Sequence, residues 1–192
     1  MTPKPMTIVE QARCCTLCSE ELPLGPRPVF QVHPDARLLI AGQAPGLKVH
    51  QSGVPFDDAS GDRLRSWLRI DRKTFYDARS VAILPMGFCY PGKGKSGDLP
   101  PLKICAPTWR QTLLDAMPNI QLVLVIGQYA LNWHVPDFTG NLTEAVKQRV
   151  GPERVLVLPH PSPRNNIWLK KNAWFEQEHL PALRCRVEAA LG

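Results

Sequence analysis

The stretch Arg37-Leu38-Leu39-Ile40-Ala41-Gly42-Gln43-Ala44-Pro45-Gly46 sets a short apolar run directly before a glycine- and proline-containing turn. A run without polar alternation suits a strand buried on both faces, the mark of a parallel sheet. Three more runs of this kind follow, at Ser80–Leu84, Leu122–Ile126 and Arg154–Leu158. Between them the apolar residues take helical spacing: Leu64, Trp67 and Leu68 after Ser60-Gly61, Trp109, Leu113 and Leu114 after Pro107-Thr108, and Leu142, Ala145 and Val146 after Asn141. Strands alternating with helices predict an α/β fold whose central, mainly parallel sheet has four strands joined by right-handed crossovers. A last helix is expected from about Trp174 to Leu191, kinked or interrupted by Pro181.

A chain of 192 residues with 44% hydrophobic content can bury one sizeable core, so a single domain over residues 1–192 is expected. The 20 prolines punctuate loops rather than forming a low-complexity tract, and no linker is evident. The longest apolar run, Gln121 to Gly127, is strand-sized and far below the roughly 20 residues of a membrane helix. Met1 to Glu10 lack a basic segment followed by an apolar stretch, which points to a reducing, cytoplasmic compartment. A net charge of +6 and a pI near 9.1 suit a polyanionic partner, although such an excess also serves simply to solvate a surface. A monomer is expected.

Cys15, Cys18, Cys89 and Cys105 form a C-x-x-C pair, a gap of roughly 70 residues, and a second pair roughly 16 apart in a Pro/Gly-rich loop. In a reducing compartment that spacing reads as a metal or iron-sulfur clamp rather than as disulfides. Thiolates suit zinc and iron-sulfur clusters equally, so the ligands alone leave the metal open. Cys14 beside Cys15 offers an alternative first ligand, of which Cys15 is preferred. Cys185 stands apart as a lone cysteine.

Ligands of a parallel sheet bind beyond the carboxyl ends of its strands. Two loops, Gln43–Phe56 and His160–Asn165, follow strands directly and can converge on one cleft. Gly42 and Gly46 let the backbone bend and approach a ligand, and Pro45 stiffens the turn.

With these residues in view, the chain resembles the uracil-DNA glycosylase superfamily over roughly Arg13 to Asn165. The cysteine pattern and Gly42-Gln43-Ala44-Pro45-Gly46 resemble the iron-sulfur glycosylases of families 4 and 5. Gln51-Ser52-Gly53-Val54-Pro55-Phe56 and His160-Pro161-Ser162-Pro163-Arg164-Asn165 look like the single-strand-selective monofunctional branch, and Asp58-Ala59-Ser60-Gly61 is similar to a segment of family 5. The resemblance implies a three-layer α/β/α fold, a 4Fe-4S cluster with zinc as the alternative, and excision of uracil or another deaminated or damaged base from DNA, with single-stranded DNA as one candidate form of the substrate. The competing reading is a catalytically weak nucleic-acid-binding protein of the same fold.

Base excision requires that the base leave the stack, enter a pocket and depart as an anion. Phe56 is the candidate to stack on the base, with Gly42, Gln43 and Ala44 beside it. His160 is the candidate donor to the departing base. Asp58 is the candidate for activating water or stabilising the sugar cation, with an N-cap role as its plainer alternative. Gln43 cannot titrate but can orient water or bind the base. Ser162, Arg164 and Asn165 are expected to meet the DNA backbone, and Lys93 and Lys95, in a flexible loop over Tyr90–Lys103, to add salt-dependent phosphate affinity. Lys170 and Lys171 extend that basic set. Two departures bear on specificity: Ala44 stands where family 1 has Asp and the single-strand-selective branch Asn, and Pro85 where a uracil-reading Asn is expected.

Overall fold

The computed structural model describes residues 6–192, so the reading of Met1–Glu10 falls partly outside the described range. In chain order the elements are α1 (Ile8–Arg13), β1 (Leu38–Ala41), α2 (Leu47–Ser52), α3 (Ala59–Leu68), α4 (Arg72–Tyr76), β2 (Val81–Ile83), β3 (Lys93–Gly94) and β4 (Gly97–Asp98). They continue with α5 (Cys105–Asp115), β5 (Leu122–Ile126), α6 (Gln128–His134), α7 (Leu142–Gln148), β6 (Val155–Leu158), α8 (Asn166–Lys171) and α9 (Leu180–Leu191).

All four apolar runs are strands of one sheet in the order β2-β1-β5-β6. Every pairing in it is parallel, with Leu38 opposite Val81 on one side and Leu122 on the other, and Val123 opposite Val155. β1, β2 and β5 are buried at every position, as strands covered on both faces must be. Each fully buried Leu, Ile or Val contributes about 1.5–3 kcal/mol against leaving it in water, so these short strands hold much of the core. Helices flank both faces to give the α/β/α layering; α9 crosses β1 and β5 and packs on α3. Among the described residues no helix is long and apolar enough to cross a membrane.

Local chemistry sets several boundaries. Asn141 and Glu144 cap α7 reciprocally, and Asp58 accepts the Gly61 amide at 2.9 Å to start α3. One expectation is corrected. Gln43–Phe56 is not all loop, because Leu47–Ser52 folds into α2 between Gly46 and Gly53. The last helix has its expected span, helical from Trp174 to Leu191, and it is interrupted at Pro181, where a π-helical segment, Phe175–His179, gives way to the first turn of α9. Proline has no N–H to return to the carbonyl four residues earlier, so the regular ladder starts anew there.

Candidate active site

The carboxyl ends of β1, β2 and β6 open onto a cavity of about 460 Å³. The turn after β1 supplies Gly42, Gln43 and Ala44, the end of β2 supplies Ile83 and Pro85, and the segment after β6 supplies His160, Ser162, Arg164 and Asn165. Phe56 and Asp58 enter from the connection between α2 and α3. Loops distant in sequence thus meet because the parallel sheet aims its strand ends the same way.

Phe56 is held in an unusual backbone conformation, with φ of 54°, which costs a bulky residue of order 1 kcal/mol. Two contacts fix it. Its carbonyl sits where a side chain on residue 61 would go, since a Cβ on Gly61 would come within 1.8 Å of it, and its ring packs edge-on against Phe75 with centroids 6.2 Å apart. On the cavity side the ring reaches to 3.7 Å of the position a Cβ would take on Gly42, so the glycine keeps that wall flat.

His160 is oriented by its own segment. The Ser162 amide donates to Nδ1 at 3.2 Å, and the Asn165 side chain holds the His160 carbonyl at 2.8 Å. A ring nitrogen that accepts carries no proton, so the neutral imidazole bears its proton on Nε2. Burial pushes the His160 pKa below its ordinary 6.5, while the charges of Asp58 and Asp98 draw it back upward. The result is a neutral N–H donor in the cavity wall. Gln43 donates from Nε2 to the Leu99 carbonyl at 3.1 Å, which leaves its amide oxygen as the acceptor.

Pro85 presents no side-chain hydrogen bond, and its carbonyl is taken by a wholly buried Arg110. That guanidinium donates through Nη1 to Leu84 O at 2.8 Å and Pro85 O at 3.1 Å, and its Nη2 lies 2.7 Å from His134 Nε2. Burial lowers the Arg110 pKa to about 9, so it remains charged at neutral pH. Burial first, then the charges of Arg110 and Arg154, push His134 down to about 3, leaving a neutral ring whose Nε2 accepts.

The segment from Tyr90 to Lys103 is more ordered than a flexible loop. β3 and β4 form a hairpin with Lys93 opposite Asp98, closed by Lys95-Ser96. Its tip residues Ser96, Gly97 and Asp98 line the cavity, while Lys93 and Lys95 are exposed outside it. Gly97 has φ of 147°, and a Cβ there would lie 2.8 Å from Arg164 Nη1. Lys170 and Lys171 end α8 on the exposed surface and do not line the cavity. Sequence reading missed Asp98 and Arg63; the latter donates to the Ser162 carbonyl at 3.1 Å and Asn166 Oδ1 at 2.8 Å. Gly94 and Gly97 flanking Lys95-Ser96 are the one local sign of a hairpin, and nothing local placed its tip over the cavity.

Cys15, Cys18, Cys89 and Cys105 all line a second, largely apolar cavity with Phe88 and Trp109. The exposed Cys14 caps α1 and does not line it, and Cys185 is also exposed. The Trp109 indole donates to Cys15 Sγ at 3.3 Å, and the amides of Arg27 and Phe88 bond to the sulfurs of Cys89 and Cys105. Burial raises the Cys18 thiol and pushes Cys89 to about 11 and Cys105 to about 12. Without a bound cation such thiols stay protonated at neutral pH. No group of three or more His, Cys, Asp or Glu side chains among the described residues is set to hold a single metal ion. A model of the Uracil DNA glycosylase superfamily matches residues 29–184, a span that takes in the large cavity, Cys89 and Cys105 but not Cys15 and Cys18.

Proposed function

The chain belongs to the uracil-DNA glycosylase superfamily, made up mostly of DNA glycosylases, and on that premise we propose that it hydrolyses the N-glycosidic bond of uracil or another deaminated or damaged base in DNA. The observation that carries this reading is the neutral His160, held with Nε2–H as its donor in a cavity walled by the fixed ring of Phe56. An extruded base stacks on Phe56, and His160 Nε2–H donates to the oxygen on which negative charge gathers as the C1′–N bond breaks. The Gln43 amide oxygen accepts from a base N–H or positions water, and a cavity carboxylate takes the proton of the attacking water. Ser162, Arg164 and Asn165 at the rim, with Lys93 and Lys95 on the hairpin, bind the phosphates beside the extruded nucleotide. With Pro85 lacking a side-chain reader, the pocket selects by shape, Gln43 and backbone groups, which suits lesions other than uracil.

The purified protein incubated with single- and double-stranded oligonucleotides carrying different lesions tests the reading directly. Free base and an abasic strand are expected from at least one substrate. Tight binding with no release from any of them would replace the enzyme with a binding protein.

We propose that Cys15, Cys18, Cys89 and Cys105 together hold a 4Fe-4S cluster. All four cysteines line one largely apolar cavity, and the sulfurs of Cys15, Cys89 and Cys105 receive N–H donors of the kind that tune a cluster's thiolates. Such a cluster would cross-link the segment after α1, the start of α5 and the Cys89 loop, a structural role that needs no redox turnover. Anaerobically isolated protein is expected to hold about four irons per chain. Cys15→Ser should lose iron and lower the thermal midpoint together, whereas Cys14→Ser should change neither. Stoichiometric zinc in the parent would reject the cluster, and loss of iron only in the Cys14 variant would reassign the ligand.

A further inference from the structure

Hydrolysis requires a group to receive the proton of the attacking water, and the turn after β1, Gly42–Gly46, contains no carboxylate. Among the described residues only Asp58 and Asp98 bring carboxylates to the cavity. The neighbouring Asp57 is drawn away, 2.8 Å from Arg72 Nη2. Asp58 has a structural post, its Oδ1 accepting the Gly61 amide at 2.9 Å to begin a helix of 10 residues.

Asp98 is differently placed. Its carboxylate forms no ion pair among the described residues. Its Oδ2 comes within 3.3 Å of the position a Cβ would take on Gly46, so the absence of a side chain there opens the space that the carboxylate enters. The hairpin carrying it is anchored at both ends of that approach. Leu99 donates its amide to Gly92 O at 2.9 Å and receives Gln43 Nε2 at 3.1 Å, while the Arg164 guanidinium lies against Gly97. The charge of Asp98 is also felt at His160, the proposed donor on the opposite side of the reaction.

We infer that Asp98, carried on the hairpin between Cys89 and Cys105, is the carboxylate that activates the hydrolytic water, and this rests on the glycosylase reading. The C1′–N bond breaks with its electron pair leaving on the base, whose developing charge His160 Nε2–H receives as a hydrogen bond. The water oxygen bonds to C1′, and its proton passes to the Asp98 carboxylate and then to solvent. Asp98 is exposed in the free protein, open to water from the cavity side.

Single-turnover release from the best lesion substrate compares parent, Asp98→Asn, Asp98→Ala and Asp58→Asn. A general base contributes roughly 10²–10⁴-fold; with the sugar already cationic when water attacks, we expect a loss of about 10–100-fold in Asp98→Asn. That loss should exceed the loss in Asp58→Asn, where Asn still caps α3. Affinity for uncleaved lesion DNA should not weaken, and added formate should return part of the rate to Asp98→Ala. Parental cleavage by Asp98→Asn, or a larger loss in Asp58→Asn, overturns the assignment while leaving the glycosylase reading intact. A parent that releases no base from any substrate removes both.

Discussion

Replacing His160 with alanine is expected to slow single-turnover base release by roughly 10²–10³-fold, the scale of removing one preorganised donor to a developing anion. The expectation follows from the pairing of His160 Nδ1 with the Ser162 amide, which commits the ring to a neutral form with its proton on Nε2. Fold and lesion-DNA affinity should change little, because the side chain is part of the cavity wall rather than the sheet core. Burnt-out activity with unaltered circular dichroism and unaltered binding would therefore locate the defect in the chemical step. A variant that cleaves at the parental rate would remove leaving-group stabilisation from the mechanism.

The largest effect on stability is expected at Arg110. It is 0% exposed and stabilises two carbonyls at the end of β2 and the acceptor nitrogen of His134 at once. Arg110→Ala strands all three acceptors, at about 1–3 kcal/mol for a buried group left unpaired, and opens a cavity, so a loss of about 3–5 kcal/mol is expected in urea unfolding. Arg110→Met fills the volume but satisfies none of the acceptors, and an intermediate loss of about 1–3 kcal/mol should result. Equal midpoints for parent and Arg110→Ala would show that the network carries no net stability. The same network makes the fold acid-sensitive. His134 folds neutral with its pKa down at about 3 against an ordinary 6.5, so its contribution is complete above about pH 6.5 and is lost as pH falls from there toward 3. His134→Gln, which offers an amide oxygen to Arg110 but does not titrate, should flatten that part of the stability profile.

The α/β class, the four strands and their place in a parallel sheet were legible from Arg37–Ala41 and its three counterparts, because burial on both faces imposes an apolar run that neighbouring residues display by themselves. Caps were legible for the same local reason: Asn141 and Asp58 bond to amides only three residues ahead. The gathering of Cys15 with Cys18, Cys89 and Cys105, rather than Cys14, followed the spacing, as did the meeting of Phe56 with His160 at the strand ends. Other features depended on contacts between segments far apart in the chain. The small helix α2 is too short for periodicity to announce. Arg110 looks like any surface arginine until Leu84, Pro85 and His134 close around it. Asp98 lies in a polar stretch that reads as a mobile loop, and only the pairing with Lys93, the Gln43 bond to Leu99 and the room left by Gly46 bring its carboxylate to the cavity. Periodicity encodes which face of an element is buried, whereas the position of a polar group over a pocket is set by the long-range contacts that anchor its loop, and those exist only once the chain has folded.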